Sequence, residues 1–145
     1  MPIAEQKVRR FRMTTSRACE LPKTVLVIDD EEKVRTTIQS LIEKLGYRVL
    51  GADSARAALE LARTYDGDID LALLDIKLPD MEGGNLFPLI KQLRPDMKVI
   101  ICSGYSLDVH VQQILEGGAN GFLQKPFALK TIADKIKEVL EDESR

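Results

Sequence analysis

The sequence predicts an α/β fold, a doubly wound parallel sheet of five strands with helices on both faces. Short unbroken apolar runs such as Thr24–Ile28 (TVLVI) suit strands covered on both sides rather than strands with one wet face. The stretches between them carry apolar residues three and four apart, the spacing of amphipathic helices. The two patterns alternate strictly from Thr24 onward, and such alternation implies parallel pairing with right-handed crossovers.

Each element has its own signal. Thr24–Ile28 is the first strand. Glu31–Leu45 follows as a helix with Val34, Ile38, Leu41, Ile42 and Leu45 on one side, stopped by Gly46. Arg48–Ala52 reads as the second strand, and Ser54 is placed to cap an alanine-rich helix through Thr64. Asp70–Leu74 (DLALL) is the third strand. Gly84–Leu93 is a helix closed by Arg94-Pro95, with Pro88 near enough to its start to be tolerated. Val99–Cys102 (VIIC) is the fourth strand, and Asp108–Glu116 a helix ended by Gly117-Gly118. Gly121–Leu123 makes a short fifth strand and Leu129–Leu140 a last amphipathic helix. The usual five-strand solution is the flavodoxin-like order 2-1-3-4-5, with the site beyond the carboxyl ends of the strands.

Length and composition narrow the function. A chain of 145 residues fits one domain, and 44% apolar against 30% charged residues is a globular balance that excludes wholesale disorder. No apolar stretch approaches the roughly 20 residues of a membrane helix, and no apolar run follows the basic residues near the start, so a secretory signal is not expected. The two cysteines, Cys19 and Cys102, have neither metal-ligand nor disulfide spacing, so a reducing cytoplasm is the expected compartment. Net charge is −2, with 21 basic and 23 acidic residues and no tryptophan, which argues against a direct nucleic-acid surface. Residues 1–20 hold five basic and two acidic side chains, so 1–22 is expected to be a basic tail or linker ahead of a domain over 23–145.

The chemistry gathers where the topology puts it. Asp29-Asp30 follows the first strand, Asp75 the third, Ser103 the fourth and Lys125-Pro126 the fifth. Three carboxylates crowded onto one rim repel each other unless a cation neutralises them, and a few carboxylates with room for water suit Mg²⁺. With an ammonium and a hydroxyl added, the rim fits phosphoryl transfer onto an aspartate. Singly, each feature has a plainer reading. Asp29-Asp30 fits a helix cap with an acidic first turn, Ser103-Gly104 a turn, and Lys125 a solvated charge. His110 lies on an expected helix rather than a four-helix bundle, so a surface or packing role is expected for it.

The stretches VLVIDDEE, ALLDIKLPDMEGG, IICSGYS and GFLQKPF, in this order, resemble the response-regulator receiver domain family, over about Thr24 to Leu140. Four motifs, each after its own strand, carry the likeness. The flavour of SGYS with GFLQKPF is similar to receivers of hybrid sensor histidine kinases. The resemblance implies Asp75 as phosphoacceptor. It implies Asp30 and Asp75 as direct Mg²⁺ ligands, Asp29 as a ligand mainly through water, and the main-chain carbonyl of Lys77 as the third protein ligand. Ser103 and Lys125 match the hydroxyl and ammonium that move onto the phosphoryl group, and Pro126 the cis-proline position. Phe122 matches the rotameric aromatic switch but lacks the hydroxyl of the frequent tyrosine, which leaves inward packing rather than hydrogen bonding.

The implied partners are a sensor histidine kinase or a histidine phosphotransfer protein. A downstream protein target is implied at the helix 4–strand 5–helix 5 face (Tyr105, Phe122, Phe127), with dimerisation there on phosphorylation as a further expectation. No output domain is expected within the chain, and no catalysis beyond self-phosphorylation and autodephosphorylation. An aspartate-nucleophile phosphohydrolase of the haloacid dehalogenase type is the alternative. It wants a second aspartate two residues past the nucleophile, where this chain has Lys77. A flavin-binding flavodoxin is a second alternative, and it is disfavoured because Asp29-Asp30 stands where its phosphate-cradling loop would lie.

Overall fold

The computed structural model describes residues 22–104, 109–125 and 128–141, apart from the side chains of 83, 109 and 110. Five strands alternate with five helices: β1 Thr24–Ile28, α1 Glu32–Lys44, β2 Arg48–Ala52, α2 Ala55–Thr64, β3 Leu71–Asp75, α3 Gly83–Leu93, β4 Lys98–Ser103, α4 Val109–Glu116, β5 Gly121–Gln124 and α5 Leu129–Glu141. All pairings are parallel, and the sheet runs β2-β1-β3-β4-β5. This is the flavodoxin-like order expected from the alternation. None of the described helices is long and apolar enough to cross a membrane.

The unbroken apolar strands have a simple cause, because successive side chains point to opposite faces and each face has its own core. Leu26, Ile28, Ala72, Leu74, Val99 and Ile101 join Ala58, Leu86, Phe87, Ile90 and Ile114 on the α2–α3–α4 side. Val25, Val27, Leu71, Leu73, Ile100 and Leu123 join Ile38, Ile42, Ile132 and Ile136 on the α1–α5 side. Burying each such Leu or Ile contributes roughly 1.5–3 kcal/mol. Two glycines are required by backbone geometry. Gly46 (φ 100°) and Gly118 (φ 122°) end α1 and α4 in the left-handed region, which side chains on an L-residue disfavour.

Several element ends move by one residue from the expected ones, the third strand at both of its ends. The third strand runs Leu71–Asp75 instead of Asp70–Leu74. Asp70, just before the strand, still bonds both neighbours through its backbone, its amide donating to the Thr24 carbonyl at 2.9 Å and its carbonyl accepting from the Lys98 amide at 3.0 Å, while its carboxylate accepts from the Thr24 amide at 2.8 Å. Asp75 stays in register with Cys102, which keeps the strand's last residue fixed. Pro88 lies inside α3 near its start, as expected. It is exposed, so the helical bond it cannot donate to the Gly84 carbonyl is missing on the solvent side.

Candidate functional site

Backbone bonds hold the site at the carboxyl edge of the sheet. The Asp29 amide donates to the Ala52 carbonyl at 3.0 Å, the Ile76 amide to Cys102 at 3.1 Å, and the Lys125 amide to Ser103 at 2.6 Å. Cross-strand bonding therefore continues past the strand ends, and each functional residue leaves the sheet from a pinned backbone.

Asp29 is 3% exposed, Asp75 7% and Ser103 2%, whereas Asp30 is exposed. One Asp29 oxygen, Oδ1, accepts from the Glu31 amide at 2.9 Å. The Lys125 ammonium donates to the other, Oδ2, at 2.9 Å and also to Asp75 Oδ2 at 3.2 Å. Asp75 Oδ1 accepts from the Lys77 amide at 3.2 Å. Ligand oxygens of Asp29, Asp30 and Asp75 all lie within 4.8 Å of one another. Two of the three carboxylates thus share the Lys125 ammonium. Burial raises the Asp75 pKa, and the neighbouring Asp29 charge adds to the rise although Lys125 opposes it. Burial pulls the Lys125 pKa down, but its hydrogen bond to Asp29 and the charge of Asp75 outweigh this and leave it raised.

The excess of negative charge, the all-oxygen donor set and the water-facing Asp30 fit a hard divalent cation. The residues singled out from sequence after strands one, three and five therefore come together, and Ser103 closes β4 on the same edge. The helix-cap reading of the acidic pair fails. The N-cap of α1 is Glu31, which makes no side-chain cap bond, and Asp29 instead closes a turn ahead of the helix.

Phe122 is half-buried and packs against the α2–α3–α4 core. Tyr105, Pro126, Phe127 and residues 1–21 of the expected tail lie outside the described residues, as does the His110 side chain. Cys102 is buried, and burial pushes its thiol up to about 12. Alkylation at about pH 8 is therefore expected to spare Cys102 in the folded protein and to reach it only in denaturant. Peptide mass analysis checks this, and ready native modification at residue 102 would contradict the packing.

Two supporting residues carried no local sequence signal. Arg35 Nη1 donates to the Asp29 carbonyl at 2.9 Å, reaching back from α1 to the acidic loop. Asp80, which reads from sequence as part of a Pro-Asp turn, accepts from amides 25 and 24 residues earlier in the chain.

Comparison with known proteins gives the family and the fold. The response regulator receiver domain family matches residues 25–137. The sensor kinase CckA of Brucella abortus is 36% identical over 118 residues, 81% of this chain, and the match spans 12% of that kinase's length. A CheY-like receiver domain protein from Methanospirillum hungatei superposes with a TM-score of 0.79 at 34% identity, covering 86% of this chain and 98% of the other. A Burkholderia pseudomallei response regulator, solved with a phosphorylated aspartic acid, a calcium ion and citrate, gives a TM-score of 0.71 at 29% identity, covering 81% and 66%.

Proposed function

The chain belongs to the response regulator receiver domain family, a family of phosphoacceptor signalling domains, and on that premise we propose that Asp75 accepts the phosphoryl group, in the cytoplasm, from a histidine kinase or a histidine phosphotransfer protein. The observation that carries this reading is the Lys125 ammonium, held between Asp29 Oδ2 and Asp75 Oδ2 at 2.9 and 3.2 Å beside three converging carboxylates. Mg²⁺ is the cation proposed for the acidic rim, held by Asp30 and Asp75 directly, by Asp29 through water and by the Lys77 main-chain carbonyl. When bound it supplies charge neutralisation for the carboxylates and for the incoming phosphoryl oxygens.

The chain's own residues do the rest. Asp75 is seated by the Lys77 amide and by Lys125, so its carboxylate is oriented before a donor arrives. A carboxylate oxygen attacks phosphorus, a P–O bond forms, and the P–N bond of the phosphohistidine breaks. The electron pair of that bond leaves with the imidazole nitrogen. Lys125 already contacts Asp75, so a small shift brings its charge onto a phosphoryl oxygen. Ser103, buried on the neighbouring strand, supplies a hydroxyl to a second oxygen. Drawing these two residues inward biases β4 and β5 between two packings, with Phe122 the aromatic reporter of the change. Output then passes to a protein target at the α4–β5–α5 face. Lys77 stands where the alternative phosphohydrolase would keep its second aspartate, which favours an acceptor that holds its phosphoryl group.

Incubation with phosphoramidate, whose P–N bond imitates phosphohistidine, tests the reading by intact mass. A single phosphoryl adduct that forms with Mg²⁺ and fails in EDTA is expected. An adduct of equal yield without divalent metal would remove the role assigned to the acidic rim.

A further inference from the structure

The loop that leaves the phosphoacceptor strand is fastened to a distant helix. Its base is closed by an antiparallel bridge between Lys77 and Glu82. At its tip, Asp80 lays both carboxylate oxygens on the first turn of α2: Oδ1 accepts from the Ala55 amide and Oδ2 from the Arg56 amide, each at 2.9 Å. The next amide, Ala57, donates to Ser54 Oγ at 3.1 Å. A helix start leaves its leading amides without intrahelical acceptors and carries positive partial charge. Here three consecutive amides are satisfied by two different segments, Ser54 from the residue before the helix and Asp80 from the β3–α3 loop. These amide bonds hold the Asp80 carboxyl below its ordinary pKa, so it stays charged at neutral pH.

Only one of these two caps can affect the site. Ser54 is bound to its own helix at Ala57, so its loss leaves the two amides that hold Asp80 in place. Asp80 lies three residues beyond Lys77, whose amide holds Asp75 Oδ1. We propose that Asp80 is a positioning residue for the metal and phosphoacceptor loop, using the start of α2 as a fixed anchor that keeps Lys77 in place against Asp75. The inference deepens the functional reading above, resting on it for the metal and on geometry alone for the loop.

Reciprocity follows from linkage. If the anchor strengthens metal binding, metal binding must strengthen the anchor by the same factor.

The test compares Asp80→Ala, Asp80→Asn and Ser54→Ala in two measurements on the whole chain. Calorimetric titration with Mg²⁺ gives affinity, and amide hydrogen exchange reports residues 55, 56 and 77. Asp80→Ala is expected to weaken Mg²⁺ binding about threefold or more, at or below the ~10–100-fold typical of groups that bond a metal ligand directly, and to speed exchange at Lys77. Ser54→Ala removes only the Ala57 bond and leaves both Asp80 bonds in place, so wild-type Mg²⁺ affinity and wild-type exchange at Lys77 are expected. Asp80→Asn keeps an oxygen acceptor and should fall between. In the wild type, Mg²⁺ should slow exchange at Ala55 and Arg56. Equal Mg²⁺ affinity and equal Lys77 exchange in Asp80→Ala and Ser54→Ala would overturn the proposal. If the wild type binds no Mg²⁺, the metal reading fails, and the Lys77 exchange comparison still decides whether Asp80 anchors the loop.

Discussion

Lys125→Ala is expected to destabilise the metal-free protein by about 3 kcal/mol, near the lower end of what removing one partner from a buried ion pair costs. The side chains it leaves behind, Asp29 and Asp75, are 4% and 9% exposed, so water cannot replace the lost ammonium. Saturating Mg²⁺ should recover much of the loss, because the cation neutralises the same oxygens. The exposed pair Lys130–Asp134, at 84% and 62%, makes the contrast, and Lys130→Ala should change stability by less than about 1 kcal/mol. Phosphoryl acceptance should slow by on the order of 10²-fold in Lys125→Ala, the scale for deleting one charge-stabilising donor. Urea unfolding with and without Mg²⁺, and the rate of adduct formation, check both parts. An unchanged unfolding midpoint would mean that Lys125 is a solvated rim charge.

Asp75→Asn should act in opposite directions on function and on stability. Acceptance should vanish, since the amide cannot form the acyl phosphate. The metal-free protein should nevertheless become more stable at neutral pH by on the order of 1 kcal/mol, because a buried carboxylate beside Asp29 is removed while Lys125 keeps its shorter bond to Asp29. The sign of the pH dependence follows from the raised Asp75 pKa. The folded wild type holds that proton more tightly than the unfolded chain, so ionised Asp75 costs stability above its folded pKa. The cost fades as pH falls through that value toward the ordinary Asp range. The advantage of Asp75→Asn in EDTA should shrink over the same window. A variant less stable than wild type at neutral pH would contradict the strained charge balance of the rim.

Why some of this was legible in sequence and some was not has a physical explanation. The strands announce themselves because a sheet covered on both faces tolerates no polar alternation, and TVLVI and VIIC show none. Residues placed by topology, such as Asp29, Asp75 and Lys125, are readable once the alternation is recognised, since parallel strands deliver all their carboxyl ends to one edge. Asp70 and Asp75 flank the run LALL alike, so the run by itself does not say which of the two belongs to the strand. Arg35 and Asp80 stayed hidden for a different reason. Their partners are a backbone carbonyl and two backbone amides, groups that every residue has and no motif marks. The α2 cap shows the limit well: Ser54 is a local signal, and Asp80 completes the same cap from the far side of β3.

The central claim is that one phosphoryl group goes onto the carboxylate of Asp75. Borohydride reduction of the phosphorylated protein, followed by peptide sequencing in the mass spectrometer, tests it most directly, because hydride converts an acyl phosphate to an alcohol and marks the residue that carried it. The mark is expected at residue 75 alone, and only in samples treated with phosphodonor and Mg²⁺. A mark at Asp29 or Asp30, or a phosphoryl adduct that leaves Asp75 unmarked, would contradict the assignment of the acceptor.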